Sequence, residues 1–179
     1  DVERELNEMY DWVKNRLKYN LVIPAANHND WMDQWLNTND WRKERNKKAY
    51  LKYAHIASQG LAPKGMIAYL LEQKFGEKVT TLDYDGSFRF MGWELGLHGD
   101  KGSNGSRGGP NQFKNLNTKS ITAHSHTPSR MDGHLCVGTL TQMKMGYNKG
   151  LSTWMQSNVL VYPDGKAQHV NFINGKYHR

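Results

Sequence analysis

The sequence contains no long apolar run. Its longest hydrophobic stretches are about five residues, whereas a transmembrane helix needs roughly 20. The opening residues, DVERELNEMYDW, are acidic and lack the apolar core of a signal peptide. We therefore expect a protein that has no membrane partner and works in the cytoplasm. The sequence also lacks an initiator Met, which predicts a chain that was cut or that begins inside a longer gene product.

Cysteine is nearly absent as well. The single thiol, Cys136, excludes an internal disulfide and favours a reducing compartment. It lies in the strand-like stretch HLCVGTL, where a free cysteine usually behaves as a small buried apolar residue. We predict this structural role for Cys136.

Positive charge is in excess, with 24 Lys and Arg residues against 17 Asp and Glu and a net charge of +7. This balance suits a polyanionic partner, because Lys and Arg attract phosphate backbones of any sequence. Some of these cations form a cluster beside Trp41, namely Arg42, Lys43, Arg45, Lys47 and Lys48. The cluster either follows a nucleic-acid backbone, with Trp41 available for stacking, or forms a solvated helix face.

The spacing of apolar residues predicts helices alternating with strands in the first half of the chain. Helices are predicted over residues 2–19, from Trp31 to about Gln59, and over Met66–Phe75, the last one closed by Gly76. The apolar stretch YNLVIPAA, residues 19–26, predicts a buried strand. This order predicts an α/β fold with parallel strands, in a single domain that spans residues 1–179.

The second half of the sequence reads as short strands separated by turns. Two strands are predicted on either side of a hairpin-type turn at Asp85-Gly86-Ser87. Five glycines between Gly99 and Gly109 predict a loop, because packed elements do not use this composition. Further strands are predicted in SITAH, HLCVGTL, WMQSNVLVYPDG and KAQHVNFING, with a turn at Pro163-Asp164-Gly165.

Polar residues follow the apolar strands at three places. They are Asn27 with His28, then His98, and then His124 with His126. Because ligands of α/β sheets collect outside the carboxyl ends of the strands, these tips are candidates for one common site. Neutral imidazole is the commonest side-chain metal ligand, and an amide carbonyl suits a harder cation.

The order of these tips resembles the motif order of the calcineurin-like metallophosphoesterases. The matching stretches are ANHN at 26–29, HGD at 98–100 and AHSHTP at 123–128. The Gly-rich GDKGSNGSRGG and the later DGHLCVGTL, GYNKGLSTWMQSNVLVYPDGK and INGKYH are similar to phage-encoded members, which include early proteins that degrade DNA. The resemblance runs from residue 19 to the end. It implies the C-terminal part of a four-layer α/β/β/α sandwich, and the host cytoplasm as the compartment if the protein is phage-encoded.

The resemblance also implies roles for particular residues. Asn27, His98 and His124 would bind one divalent metal ion, and His126 would bind a second. His28 would act on the leaving group, as a general acid or as a contact to a phosphoryl oxygen. Manganese, iron and zinc all fit such a two-metal site, which in general activates a bridging water for attack on phosphorus.

The sequence departs from the family pattern at three points. Ala26 and Ala123 replace glycines, and Asn29 stands where the family has an acid that supports the catalytic histidine, a role that Asp30 can take if the turn shifts by one residue. The family motifs D-x-H and G-D-x-x-D do not occur before ANHN, where the family order places them. Since they supply carboxylate ligands, we expect the second metal to need ligands from elsewhere, such as an N-terminal fragment of the same enzyme. The isolated chain is expected to be inactive and to bind at most one metal weakly.

The substrate class follows from the same features. Lys101 and Arg107 in the Gly-rich loop are predicted to hold substrate phosphates, with a mobile surface loop as the alternative. Charge and resemblance together favour a phosphodiesterase or nuclease acting on DNA over an enzyme for small phosphomonoesters. Two alternatives stay open: a protein or nucleotide phosphatase on the same fold, and a non-catalytic nucleic-acid-binding or interaction module derived from it.

Overall fold

The fold is mixed α/β, as the alternating pattern predicts. The structure, a computed structural model, describes residues 1–143, 146 and 150–178. Most of the stretch GYNKG at 146–150, which contributes to the resemblance, therefore lies outside the described residues. The chain divides into two compact units, Asp1–Gly86 and Ser87–Arg179, and each is described by itself. Whether the two form the single domain predicted above stays a prediction.

The first unit consists of helices and one pair of parallel strands. Its elements are α1 (Val2–Lys14), β1 (Leu21–Ile23), α2 (Trp31–Thr38), α3 (Lys47–Ser58), α4 (Met66–Phe75) and β2 (Val79–Thr81). In the parallel pair, Leu21 lies opposite Val79 and Ile23 opposite Thr81. The predicted strand after the first helix and the predicted parallel pairing are both confirmed in this unit.

The core of the first unit is built from the apolar faces of these helices. Leu6, Met32, Tyr53 and Met66, from four different helices, are each at most 2% exposed. Burial of such side chains is the main favourable term in folding, at about 25 cal/mol per Å² of apolar surface. The Asp1 carboxylate also accepts a hydrogen bond from the backbone N–H of Glu3 at 3.0 Å, and it thereby caps α1.

Two of the predicted helices differ in the structure. The helix predicted over 2–19 ends at Lys14, and the chain continues in turns, with the N–H of Arg16 donating to the carbonyl of Val13. The helix predicted from Trp31 to Gln59 is two helices, α2 and α3. The Glu44 carboxylate organises the break, because it accepts hydrogen bonds from the Trp35 indole and the Asn39 amide, both at 2.9 Å.

The second unit is built mainly of strands. Its elements are β3 (Arg89–Phe90), β4 (Trp93–Glu94), α5 (Pro110–Phe113), β5 (Lys119–Thr122), β6 (Ser129–Met131), β7 (His134–Cys136), β8 (Gln156–Val161), β9 (Ala167–Ile173) and β10 (Lys176–His178). One sheet has the order β3-β4-β5-β7-β6, with β4, β5 and β7 mutually parallel. The strands β8, β9 and β10 form an antiparallel meander, with the predicted turn at Pro163-Asp164-Gly165 between β8 and β9.

The turn at Asp85-Gly86-Ser87 does not join the two strands of a hairpin as was predicted; the hairpin lies later in the chain. The strand before that turn, β2, pairs in parallel with β1, and the hairpin joins β3 to β4 instead. Its turn is Met91-Gly92, where both residues have positive φ, 50° and 82°. Two consecutive positive φ values define a tight two-residue hairpin turn that glycine tolerates without cost. In the part of the chain that the structure describes, no helix is long and apolar enough to cross a membrane.

Candidate metal-binding site

The candidate site lies in the second unit, at the carboxyl ends of the parallel strands β4, β5 and β7. The segment after β4 carries His98, and the segment after β5 carries His124 and His126. The backbone N–H of Ala123 donates to the carbonyl of His98 at 2.8 Å, and the N–H of Val137 donates to the carbonyl of Thr122 at 2.8 Å. These bonds extend the sheet beyond the regular strands, so that the polar tips of neighbouring strands lie side by side.

His98 and His124 face each other across this edge. Nε2 of His98 lies 3.3 Å from Nδ1 of His124, and the ring centroids are 5.2 Å apart at an interplanar angle of 78°. Two imidazole nitrogens that bind one tetrahedral ion at their usual 2.0–2.1 Å would be about 3.3–3.4 Å apart. The two nitrogens are within hydrogen-bond distance of each other, and their separation also fits two ligands of one divalent ion. Both rings are only partly buried.

The backbone of the tip that follows β5 is unusual. His124 and His126 both have positive φ, 39° and 58°, a region that non-glycine residues rarely adopt. Such conformations persist where the surrounding structure holds them, and they concentrate at functional sites. The ring of His126 packs edge-on against the indole of Trp154, with centroids 4.4 Å apart.

Cys136 contacts the turn that carries His124 and His126. Its side chain is buried and unpaired with any other cysteine of the sequence, as predicted, and Sγ lies 2.9 Å from the carbonyl of Ala123 and 3.0 Å from Oγ of Ser125. Ser125 in turn is in hydrogen-bond distance of the Thr127 carbonyl, at 3.2 Å. Cys136 therefore packs as a small residue and also contacts the polar groups that shape the turn.

The Gly-rich loop is anchored next to His98 by close backbone contact. A Cβ on Gly108 would lie 1.9 Å from the carbonyl oxygen of Gly99, and Gly99 itself has φ of +106°. The N–H of Gly108 donates to the carbonyl of Asp100 at 2.7 Å. Lys101 and Arg107 lie opposite each other in an antiparallel bridge, and both are exposed. The structure thus brings together the two cations that were predicted to hold phosphates.

Asn27 and His28 lie in the first unit, in the turn after β1, and both are exposed. His28 lines a cavity of about 270 Å³ together with Glu5 and Trp31. Asp30, the residue considered as a substitute for the missing acid, accepts a hydrogen bond from the Tyr84 hydroxyl at 2.8 Å. The roles predicted for Asn27 and His28 stay predictions.

His134 shows what a structural histidine looks like in the same sheet. It is 0% exposed, its Nδ1 lies 3.0 Å from Oγ of Ser120, and its ring stacks on Phe113. Burial lowers the pKa of His134 below its usual range, because the apolar surroundings disfavour the charged ring. His98 and His124 differ from it in exposure and in having each other as neighbours.

The sequence analysis did not identify a group of polar residues beside the turn that carries His124 and His126. Ser129, His169 and Asn171 line a cavity in the second unit. A signal for part of it was present, because His169 and Asn171 are two residues apart and side chains at this spacing share one face of a strand. Ser129 carried no such signal, since only the pairing of β6 with β7 positions it.

Comparison with known proteins finds no matching family model and no matching solved structure. The sequence is similar to Protein A1 of Escherichia phage T5, with 34% identity over 165 residues. The match covers 87% of this chain and 30% of that protein, so the chain corresponds to less than a third of its relative's length.

Proposed function

We propose that this chain is the histidine-bearing part of a metal-dependent phosphodiesterase that hydrolyses DNA. In this proposal it is the C-terminal part of a calcineurin-like α/β/β/α sandwich, encoded by a phage and working in the host cytoplasm. The observation that carries the proposal is the 3.3 Å approach of His98 Nε2 to His124 Nδ1 at the carboxyl ends of parallel strands. The similarity to a phage protein agrees with the proposed origin.

The ligands on the second unit are His98 and His124 for one ion and His126 for another. Divalent ions such as manganese, iron or zinc would polarise the phosphoryl group and supply hydroxide at neutral pH. In this proposal, the residues of this chain hold the imidazoles in place and bind the substrate phosphates. Lys101 and Arg107, paired across the base of the Gly-rich loop, are suited to the second task. The carboxylate ligands of a complete site would come from outside these 179 residues.

A basic segment of the first unit favours nucleic acid as the substrate. Residues 39–48, which we call the Trp41 segment, contain the exposed Trp41 and the cluster of five cations that follows it. Arg42 lies over the Trp41 ring with its guanidinium carbon 5.2 Å from the centroid. Hydrogen bonds from the Asn46 N–H, the Trp35 indole and the Asn39 amide hold the pKa of Glu44 at about 2, so this acid stays charged inside the segment. Cations beside an exposed aromatic suit a single-stranded backbone with stacked bases.

The metal site can be tested by calorimetric titration of the chain with Mn²⁺ or Zn²⁺. We expect one ion to bind, and we expect His98→Ala or His124→Ala to weaken its binding by at least about tenfold, because each removes an imidazole ligand. His55→Ala, at an exposed position on α3, is the matched control and should leave metal affinity unchanged. Equal metal binding by the parent chain and by both site variants would contradict the proposal.

Activity separates the remaining alternatives. We expect no steady turnover by the isolated chain, and hydrolysis of a generic phosphodiester in preference to a monoester once carboxylate ligands are supplied by the longer enzyme. Preference for the monoester would favour a protein or nucleotide phosphatase. DNA binding without any metal binding would favour a non-catalytic nucleic-acid-binding module, which the Trp41 segment also suits.

A further inference from the structure

The antiparallel meander β8-β9-β10 has two different faces, because side chains alternate along a strand and directly paired residues share a face. One face packs against the rest of the second unit: Ser157 is 1% exposed, and Nε2 of His169 lies 2.9 Å from the carbonyl of Cys136. The register places the alternate residues on the opposite side, which we call the meander face. They are Gln156, Asn158, Leu160, Gln168, Val170, Phe172 and Tyr177.

Tyr162 also belongs to the meander face. Its backbone N–H continues the strand pairing by donating to the carbonyl of Lys166 at 2.8 Å, and its hydroxyl donates to the side-chain carbonyl of Gln168 at 3.0 Å. At the other end of the face, the rings of Phe172 and Tyr177 are neighbours, with centroids 6.4 Å apart. The six residues of β8 lie between these two ends, so the aromatic groups are roughly 20 Å apart.

The composition of the meander face is unusual for a sheet surface that is turned toward solvent. Antiparallel sheets commonly have one packed face and one polar face. Here Leu160, Tyr162 and Tyr177 are 51%, 40% and 48% exposed, and the described residues of the meander face include no acidic side chain. The polar residues between the two tyrosines, Asn158 and Gln168, are uncharged amides. Exposed aromatic and apolar groups that share one face indicate an interaction surface.

The charge distribution favours a polyanion as the partner. The second unit contains 11 Lys and Arg residues against four Asp and Glu, a net charge of +7, whereas the first unit contains 13 of each and is neutral. The positive excess of the chain therefore lies in the unit that carries the meander face. Docking of a second copy would bring two strongly positive units together, which like-charge repulsion disfavours, while a phosphate backbone is attracted.

We propose that the meander face binds single-stranded DNA, with bases stacked on Tyr162 and Tyr177 and base edges in contact with the amides between them. Stacking of bases on aromatic side chains of a sheet holds single strands in several nucleic-acid-binding folds, and it needs no particular sequence because every base has a π-face. Asn158 and Gln168 suit this role because an amide both donates and accepts hydrogen bonds.

The meander is joined to the segment that carries the candidate metal ligands. β8 begins directly after Met155, whose N–H donates to the carbonyl of His126 at 3.2 Å, and the N–H of Gly138 donates to the carbonyl of Ser157 at 3.1 Å. A strand bound on the meander face is thus held by the same unit that positions the imidazoles. This inference rests on the proposed function for the choice of DNA, and its test does not use the metal.

The test is binding of the chain, freed of metal with a chelator, to fluorescent oligonucleotides, followed by anisotropy. The probes are a single strand of about ten nucleotides, within the range that one binding fold covers, and an abasic strand of the same length. Both carry the same backbone charge, but only the first has bases that can stack. We expect the single strand to bind at least about fivefold more tightly than the abasic strand.

Variants assign the stacking to the meander face. Tyr162→Leu and Tyr177→Leu keep an apolar side chain but remove the ring, so each should weaken single-strand binding at least about fivefold and leave abasic-strand binding unchanged. Tyr162→Phe and Tyr177→Phe keep the ring and should bind within about twofold of the parent chain. Tyr19→Leu, at a first-unit position that is 65% exposed, is the matched control and should not change binding. Circular dichroism verifies that each variant is folded.

Three outcomes would overturn the proposal. They are unchanged single-strand affinity in both folded Leu variants, equal losses in the Phe and Leu variants, and dimerisation of the chain that the Leu variants abolish, which would make the meander face a contact between copies. None of them involves the metal titration with His98→Ala and His124→Ala, so the failure of this inference and the failure of the proposed function give different results.

Discussion

At the scale of single residues, burial separates two kinds of histidine in the second unit. His134 is enclosed by Ser120, Thr122 and Phe113, and it serves the packing of the sheet. His98 and His124 lie at strand ends, partly exposed, with ring nitrogens 3.3 Å apart. The same side chain is thus a core residue at one position and a candidate ligand at two others, and the surroundings make the difference.

The buried ring of His134 predicts a pH dependence of stability. Its pKa is lower in the folded chain than the value of about 6.5 in unfolded chains, so unfolding takes up a proton below that pH. Above about pH 6.5, His134 does not lower the free energy of unfolding. As the pH falls below this value, the free energy of unfolding decreases by at most about 1.4 kcal/mol per pH unit because of His134. Urea unfolding between pH 5 and 8 measures the slope.

Two variants assign that slope to His134. His134→Gln keeps a hydrogen-bonding side chain that does not titrate, so the variant should be less stable overall but show a flatter profile below about pH 6.5. His55→Gln, at an exposed position on α3, should reproduce the parent profile. An unchanged slope in His134→Gln would show that another group governs the acid sensitivity.

At the scale of structural elements, the Gly-rich loop contains more internal hydrogen bonds than its composition indicates. Lys101 pairs with Arg107, and the N–H of Gly102 donates to the carbonyl of Ser106 at 2.7 Å. A glycine is required at 108 by the contact with Gly99 rather than by the dihedral angles. The predicted loop is confirmed, and its base is fastened beside His98.

This close approach predicts different effects of the same substitution at neighbouring positions. Gly108→Ala places a methyl group 1.9 Å from the Gly99 carbonyl, and such overpacking should destabilise the chain by about 1–3 kcal/mol. Gly109→Ala is the matched control, because a Cβ there meets nothing within 4 Å, and its effect should stay within about 0.5 kcal/mol. Urea unfolding curves compare the two, and equal stabilities would refute the steric argument.

At the scale of the whole molecule, the net charge of +7 predicts salt-sensitive binding to DNA. Affinity for an oligonucleotide should fall steeply between about 50 and 200 mM salt, because bound cations release counterions from the phosphates. A variant in which Gln replaces Arg42, Lys43 and Arg45 should show a smaller slope of log affinity against log salt. The slope should decrease by about 1 for each phosphate that these side chains neutralise in the parent chain. Fluorescence anisotropy at several salt concentrations measures this slope.

A charge-matched control separates the Trp41 segment from net charge alone. Replacing the exposed Arg4, Lys14 and Lys78 by Gln removes the same three charges from scattered positions. It should affect the slope less than the cluster variant does. A flat salt response of the parent chain would argue against a phosphate backbone as the partner.

The sequence by itself determined the features that depend on near neighbours in the chain. Apolar spacing and a closing glycine predicted the helix Met66–Phe75, and the Pro163-Asp164-Gly165 turn, the Gly-rich loop and the buried Cys136 were also predicted. In each case the signal lies within a few residues of the structure it specifies. The placement of polar tips after parallel strands followed from the same local patterns.

Only the tertiary structure decided the features that depend on residues far apart in the sequence. The pairing of β2 with β1 moved the hairpin turn to Met91-Gly92, and hydrogen bonds to Glu44 divided the helix predicted after Trp31. The approach of His98 to His124 likewise requires β4 and β5 to be neighbours in one sheet, in register. Strand pairing and side-chain contacts between distant segments are set by packing of the folded chain, which local propensity does not encode.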